Sequence, residues 1–551
     1  MRSKRFLATG AVIAALTLAV SACGSGSGGS DSGSDSGDSA QPVVARGCQP
    51  ENPLVPGNTG ESCGHDIVEL FTSTLFRYDA ETSDPVPDLA ESVQTNDNQN
   101  FTVRIKKGVK FHDGTEVKAK NFVDAWNYTA FGKNAQYTSY FYEPIAGFAD
   151  TQCPETDEEG ACVGEPKTDK LSGLTVVDDH TFSIKTTEPV SNLPVRLGYT
   201  AFAPLPDSFF DDPKAFEAKP IGAGPYQVTK YESGKSAELK QFTDYSGDGP
   251  KGNVKKITFR IYDDEEAAYN DLLGGNLDVL DTLPTSALVG EKYKTDLGER
   301  SDQEAYPAIQ TVQFPPNSVN PAYKNTDLRK AISLAIDRQK IIDDQFEGAR
   351  EKADSWGAPG IEGFNAGTCG DLCTFDPDRA KDLFQKAGGF DGGKLSIAYN
   401  ADSDHKGWVT ATCNSIRDVL GVDCVATAVP DFATFRTKIG ERKMESMVRS
   451  GWIQDYPHIE NFLTPQYGTG ASSNDSDYSN PAFDAKLVEA AKATGEESLA
   501  LYKEAEEMLA EDMPSIPMWY YTATIGWSDK VTDVRVSQAS GRPDLFSMKQ
   551  Q

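Results

Sequence analysis

The sequence predicts a mixed α/β fold with two lobes. Predicted strands and helices alternate irregularly along most of the chain, and no internal repeat is visible. After an N-terminal leader and a flexible tether, about 510 residues remain, which is too long for one hydrophobic core and enough for two or three domains. The pattern therefore favours two α/β lobes with elements that cross between them.

In the first half of the chain, strands follow from alternation of apolar and polar residues, and glycines mark helix ends. The predicted elements are a strand, turn and strand over 101–111, a helix at 115–132, a hairpin at 174–186, a strand at 254–262 and a helix at 264–275. The hairpin is expected to turn at Asp178 and Asp179.

The second half has a clearer α/β pattern. Asp376 followed by Pro377 is a typical N-cap and first helical residue, and the same arrangement starts a helix at 480. The predicted helices are 325–346, 376–389, 409–421, 480–493 and 497–512, and the predicted strands are 395–400, 424–430 and a strand pair over 516–527.

The N-terminus predicts export and a lipid anchor. A basic start and a short apolar run over 6–20 are typical of a signal peptide, here residues 1–22. Small residues before Cys23 resemble a bacterial lipobox, so we expect Cys23 to be lipidated and 23–43 to be a Gly/Ser/Asp-rich tether. The protein would then sit on the outer face of the bacterial cell membrane. The alternative is an ordinary cleavage site with an incidental cysteine.

The other eight cysteines predict disulfides, because an even number in an exported chain indicates oxidised pairs. They form close sequence pairs, which favours local loop staples and leaves connectivity open: Cys48 and Cys63, Cys153 and Cys162, Cys369 and Cys373, Cys413 and Cys424. No zinc-site spacing is present, so no metal or cofactor is expected.

Charge and missing motifs exclude several classes of function. The net charge is −30, and removal of a leader with three basic and no acidic residues makes it −33. This argues against nucleic acid or anionic lipid as a partner. The nucleophile-elbow, zincin, P-loop and dinucleotide-binding motifs are all missing from the sequence, which disfavours an enzyme.

Six segments in this order resemble the extracytoplasmic solute-binding proteins of family 5, the peptide/nickel group of ABC importers. They lie at 69–79, 85–93, 101–126, 220–234, 328–341 and 451–463. The resemblance implies a two-lobed type II periplasmic-binding-protein fold with an extra subdomain in the first lobe. The implied division is 44–315 for lobe I with its subdomain at about 78–210, 316–525 for lobe II, and 526–551 for a C-terminal return to lobe I.

The segment GWIQDYPHIENFL (451–463) predicts the ligand site. In the peptide binders that it resembles, the carboxylate of a G-W-x-x-D-Y segment holds the α-ammonium of the peptide, and Gly451, Trp452, Asp455 and Tyr456 match that pattern. A carboxylate among apolar residues needs a cationic partner. The alternatives are that Asp455 pairs with an internal Lys or Arg, or caps a turn.

The resemblance implies a monomeric, membrane-anchored receptor that binds peptides between its lobes and delivers them to the permease subunits of an ABC importer. Within the same scaffold, the alternative cargoes are a nickel chelate, an oligosaccharide or an opine. A secreted hydrolase is the alternative from a different class.

Overall fold

Two long antiparallel strands hold the molecule together in the computed structural model, which describes residues 40–156 and 162–551. The strands of this described part are β1 Val43–Gly47, β2 Phe76–Tyr78, β3 Pro85–Pro87, β4 Ala90–Thr95, β5 Asn100–Ile105, β6 Glu155–Thr156, β7 Cys162–Val163, β8 Leu174–Asp178, β9 Thr181–Lys185, β10 Tyr226–Glu232, β11 Ser236–Gln241, β12 Lys256–Ile261, β13 Val279–Leu280, β14 Ser301–Gln313, β15 Glu351–Lys352, β16 Leu395–Asn400, β17 Cys424–Val429, β18 Met447–Ile453, β19 Ser515–Trp527, β20 Val531–Thr532 and β21 Lys549–Gln550. The two long strands are β14 and β19.

The helices pack on these strands, and short 3-10 turns fill several connections. The α-helices are α1 Ser62–Phe71, α2 Ala119–Ala130, α3 Phe148–Thr151, α4 Leu193–Arg196, α5 Asp207–Asp211, α6 Pro213–Ala218, α7 Glu265–Leu273, α8 Thr285–Leu288, α9 Lys292–Leu297, α10 Thr326–Leu334, α11 Arg338–Phe346, α12 Pro377–Lys386, α13 Lys406–Leu420, α14 Phe432–Gly440, α15 Glu460–Tyr467, α16 Pro481–Lys492 and α17 Gly495–Asp512.

One mixed sheet runs through both halves of the molecule. Its strand order is β10-β11-β12-β1-β13-β19-β14-β18-β16-β17, and β15 adds to β19. The register of β14 against β19 shifts between Ala305 and Ile309. On one side of this shift β19 pairs with β13, and on the other side β14 pairs with β18. The shift therefore marks where the chain crosses between two packed bodies.

Separate hydrophobic cores define these bodies. We call the body around Val43, Tyr226 and Ile525 the first lobe, and the body around Ile332, Trp408 and Trp519 the second lobe. A further core, including Trp126 and Phe182, packs a four-stranded sheet of order β4-β5-β9-β8 and forms a subdomain of the first lobe. Trp126 and Phe182 are fully buried, which is the burial that supplies most of the stabilisation of such a core.

The eight predicted cysteines form four disulfides between neighbours in sequence, which confirms local pairing. The bonded pairs are Cys48–Cys63, Cys153–Cys162, Cys369–Cys373 and Cys413–Cys424. The last pair joins α13 to β17. Each closes a short loop and so restricts the unfolded chain.

Several predicted elements are confirmed. The hairpin at 174–186 is β8 and β9, and the Asp376 side chain caps α12 by accepting from the Arg379 amide at 3.0 Å. No helix within 40–156 and 162–551 is long and apolar enough to cross a bilayer. The predicted signal peptide, Cys23 and most of the tether lie outside the described residues.

Three predictions of local structure were wrong. The helix at 325–346 is two helices, because the Asp337 carboxylate caps a new helix by accepting from the Lys340 amide at 3.1 Å. The strand pair at 516–527 is the single strand β19. The second strand of 101–111 is only an isolated bridge between Lys110 and Glu116 around a turn.

Candidate functional site

A cavity of about 790 Å³ lies between the two lobes. The first lobe contributes α1 and the subdomain tyrosines, and the second lobe contributes β18 and the start of α14. The crossing strands contribute Gln313 and Tyr521 at the floor. A cavity in this position opens and closes with the angle between the lobes, which is where two-lobed proteins bind ligands.

Strand β18 and the loop after it form one wall of this cavity. Gly451, Trp452 and Asp455 all line it. Gly451 pairs with Gln310 of β14, and a Cβ at this position would meet the Tyr521 hydroxyl at 3.0 Å. A glycine therefore lets the backbone of β18 lie open to the cavity.

Asn461 holds two of the four predicted ligand-binding residues, Trp452 and Asp455, in place. Its Nδ2 donates to the Asp455 carboxylate at 2.8 Å, and its Oδ1 accepts from the Asp455 amide at 2.8 Å. The same Oδ1 accepts from the Trp452 indole Nε1 at 3.1 Å. Asn461 is fully buried in α15, so this amide fixes the direction of both side chains.

Asp455 is a half-buried carboxylate without a cation. Burial raises its pKa to about 7, and the charge of Glu460 adds to this, while hydrogen bonds from Asn461, Tyr199 and Tyr140 oppose it. In the part of the chain that the structure describes, no Lys or Arg lies within 4.0 Å of the carboxylate. The alternative of an internal ion pair is therefore not found in the described residues. The charge is available to a ligand.

Tyr456 lies behind the cavity wall and does not line it. Its side chain is buried in the subdomain core, and its hydroxyl donates to the Glu460 carboxylate. Glu460 also pairs with Arg196 at 3.1 Å, and the Arg196 guanidinium lies 5.5 Å from the Tyr456 ring centroid. Because Arg196 belongs to the subdomain, this cluster joins the Asp455 loop to the first lobe.

Two further guanidinium groups without a carboxylate partner line the cavity. Arg350 stacks on Phe346, 3.7 Å from the ring centroid, and Arg449 Nε donates to the Asn400 side chain at 2.7 Å. Burial lowers the pKa of Arg350, and lowers the pKa of Arg449 to about 10. Neither has an Asp or Glu within 4.0 Å among residues 40–156 and 162–551. They are suited to bind an anionic group.

Of the residues predicted to bind the ligand, Gly451, Trp452 and Asp455 line the cavity and Tyr456 does not. Asn461, Arg350 and Arg449 were not predicted from the sequence. The available signals were weak: Asn461 lies within the quoted segment, and Arg449 lies on the strand that leads into it. Nothing local distinguishes Arg350 from the other arginines. No group of three or more His, Cys, Asp or Glu placed to hold a metal ion occurs in the described ranges.

Comparison of the sequence with known proteins finds a matching family profile and similar binding proteins. A family profile described as "Bacterial extracellular solute-binding proteins, family 5 Middle" matches residues 84–474, more than half of the chain. The oligopeptide-binding protein OppA of Bacillus subtilis (strain 168) is 24% identical over 526 residues, which cover 92% of this chain and 93% of that protein.

Solved structures show the same fold. The murein tripeptide binding protein MppA of Escherichia coli has a TM-score of 0.80 at 22% identity, covering 92% of this chain and 98% of that chain. Haemophilus influenzae OppA in complex with RPPGFSPFR has a TM-score of 0.80 at 21% identity, covering 93% and 99%. The fold is therefore the two-lobed type II fold with an extra subdomain in the first lobe.

Proposed function

Because the chain belongs to family 5 of the bacterial extracellular solute-binding proteins, we propose that it is a peptide receptor of an ABC importer. The family and the relatives are binding proteins, so the chain is a binding protein and not an enzyme. The cargo is a peptide with a free N-terminus, held in the cavity between the lobes. The observation that carries this proposal is Asp455, a carboxylate on the cavity wall without a cation of its own.

The α-ammonium of the peptide binds Asp455, and Trp452 beside it lines a pocket for the first side chain. Gly451 leaves the β18 backbone open for main-chain contacts, while Tyr456 acts from behind as a positioning residue. Burial of both charges makes such a bond strong and directional, and it fixes the polarity of the bound chain. Backbone contacts along β18 accept any sequence, as in strand addition.

Arg350 and Arg449 receive the C-terminal carboxylate of the peptide. Arg449 lies six positions before Asp455, on the same wall. At about 3.3 Å per extended residue the two positions are at most about 20 Å apart, which suits an extended peptide of up to about six residues.

The proposal extends to the anchor and the layout of the chain. Residues 1–22 are the signal peptide. Lipidated Cys23 and its tether hold the monomeric protein on the outer face of the cell membrane. The closed form docks on the permease. The lobe boundaries are those of the sequence analysis. The hydrophobic cores support this division except along the crossing strands: the first-lobe core includes Ala523 and Ile525 of β19, and the second-lobe core includes Ile309 and Val312 of β14.

Native mass spectrometry tests the proposed function. Protein purified without denaturation is expected to carry a ladder of masses that corresponds to captured peptides, and added peptides are expected to bind one per chain without being cleaved. Cleavage of the added peptides would instead support the alternative that the protein is a secreted hydrolase. A single non-peptide mass, such as a metal chelate or an oligosaccharide, would favour the alternative cargo.

Peptide affinity is expected to depend on pH through Asp455. The ammonium binds the ionised carboxylate, whose pKa in the empty cavity is about 7. Affinity is therefore lost as pH falls below that value, by about 50- to 100-fold at pH 5 relative to pH 7.5. Calorimetry across this range checks the prediction, and the acid limb should be absent from Asp455→Asn. If the affinity of the parent protein does not change between pH 5 and 7.5, the role assigned to Asp455 is wrong.

A further inference from the structure

One part of the cavity offers more hydrogen-bond donors than a single carboxylate can use. The guanidinium of Arg350 lines the cavity and makes no hydrogen bond in the described structure, so all five of its N–H groups are available to a ligand. Arg449 donates from Nε and Nη2 to the Asn400 side chain, which leaves three N–H groups. A carboxylate has about four acceptor positions. The C-terminal carboxylate of a peptide therefore leaves donors of these two arginines without an acceptor.

Both guanidinium groups act on the same two cavity residues, His405 and Tyr521. Burial lowers the pKa of His405, and the positive charges of Arg449 and Arg350 lower it further, so this imidazole stays neutral. Burial raises the pKa of Tyr521, and the same two positive charges oppose that rise. All four side chains line the cavity. The two arginines therefore form one subsite rather than two separate anion sites.

Aromatic rings support each guanidinium without using its donors. Arg350 lies 3.7 Å from the centroid of the Phe346 ring. Arg449 lies 5.3 Å from the centroid of Phe432 and 5.4 Å from that of Phe435. Contacts of this kind attract the cation to the face of the ring and leave its N–H groups unbonded. Each charge therefore still lacks the anion that would offset its loss of water on burial.

Three acidic residues act on these arginines from beyond contact distance. Burial lowers the pKa of Arg350, and Asp404 and Glu265 oppose this. Asp402 opposes the same effect of burial at Arg449. The carboxylates of Asp402 and Asp404 each accept from a backbone amide, at 2.8 and 2.9 Å, and Glu265 lies 3.9 Å from another arginine. They therefore moderate the positive charge of the subsite without occupying its donors.

We propose that the preferred cargo is a peptide that ends in aspartate or glutamate, whose two carboxylates bind Arg449 and Arg350. This inference rests on the proposed peptide-binding function. Arg449 lies on β18, along which the peptide backbone runs, so it binds the C-terminal carboxylate. Arg350 precedes β15 and binds the side-chain carboxylate of the same residue. A guanidinium pairs with a carboxylate through two charge-assisted hydrogen bonds, which a neutral amide side chain cannot match.

Calorimetry with a tetrapeptide series tests this proposal. Three alanines are followed by glutamate, aspartate, glutamine or asparagine, so that each acid has an uncharged counterpart of the same shape. At least one acidic peptide is expected to bind about 10-fold more tightly than its amide in 50 mM salt, with a smaller ratio in 500 mM salt. The same exchange at the second position should change affinity by less than about twofold. Ratios within twofold for both pairs, or an equal preference at the second position, would overturn the proposal.

Arg350→Gln is expected to weaken the binding of the acidic peptide about 10-fold more than that of its amide, which removes the preference. Arg417→Gln, at an exposed arginine of α13 outside the cavity, is the matched control and should keep the preference. A preference that survives Arg350→Gln would overturn the assignment of Arg350. If circular dichroism shows that this variant is unfolded, the ratios of the parent protein decide. Failure of every peptide to bind the parent would instead contradict the proposed function, so the two failures are distinguishable.

Discussion

Replacing Asp455 by asparagine is expected to weaken the binding of peptides with a free N-terminus by about 30-fold to several-thousand-fold. Truncating one partner of a buried charge pair costs about 2–5 kcal/mol, and about 1.4 kcal/mol corresponds to tenfold in affinity. Asparagine keeps the shape of the side chain and can still accept from Asn461, so the loss reports the charge. Calorimetry at pH 7.5 measures it.

Two comparisons make the Asp455→Asn result specific. Asp418→Asn changes an exposed aspartate of α13 outside the cavity and should leave affinity unchanged. N-acetylation of the peptide removes the ammonium and should weaken binding to the parent protein, with little further loss in Asp455→Asn. Equal affinities of the parent and Asp455→Asn for the free peptide would refute the assigned role.

Replacing Arg196 by methionine is expected to destabilise the protein by about 3–5 kcal/mol, because it leaves a buried charge uncompensated. The Arg196 and Glu460 side chains are 8% and 4% exposed, and their charged groups lie 3.1 Å apart. Arg196 Nε also donates to Asn192 Oδ1 at 3.2 Å. The midpoint of urea unfolding, followed by circular dichroism, measures the effect.

The double variant Arg196→Met with Glu460→Gln should recover part of this loss, since it removes the orphaned charge as well. Arg379→Met at a surface arginine is the matched control and is expected to change the free energy of unfolding by at most about 0.5 kcal/mol. If Arg196→Met is as stable as the parent, the buried pair does not join the Asp455 loop to the first lobe.

The sequence was sufficient for the fold class, and three of the four predicted ligand-binding residues line the cavity. Asp376 with Pro377 predicts a helix start from local chemistry alone, and α12 begins there. Residues 325–346 show the limit of such reasoning: their apolar spacing suits one helix, but the Asp337 side chain competes for backbone amides and starts a second one. The apolar periodicity does not reveal whether one helix continues through this segment or a second helix starts at Asp337.

The cavity depends on contacts between residues that are distant in sequence. Tyr140 lies 315 positions from Asp455, and its hydroxyl donates to that carboxylate at 3.5 Å. No local pattern joins these two residues. Tyr456 does not line the cavity, because β18 ends at Ile453 and the alternation that would orient residue 456 toward the cavity no longer applies. It packs into the subdomain core instead.

A crystal structure of the protein with a bound peptide tests the central claim most directly. The account predicts the peptide's N-terminal nitrogen within about 3 Å of the Asp455 carboxylate, at hydrogen-bonding distance. It also predicts the opposite end of the peptide near Arg350 and Arg449. A bound peptide that runs in the reverse direction, or leaves Asp455 to water, would contradict it.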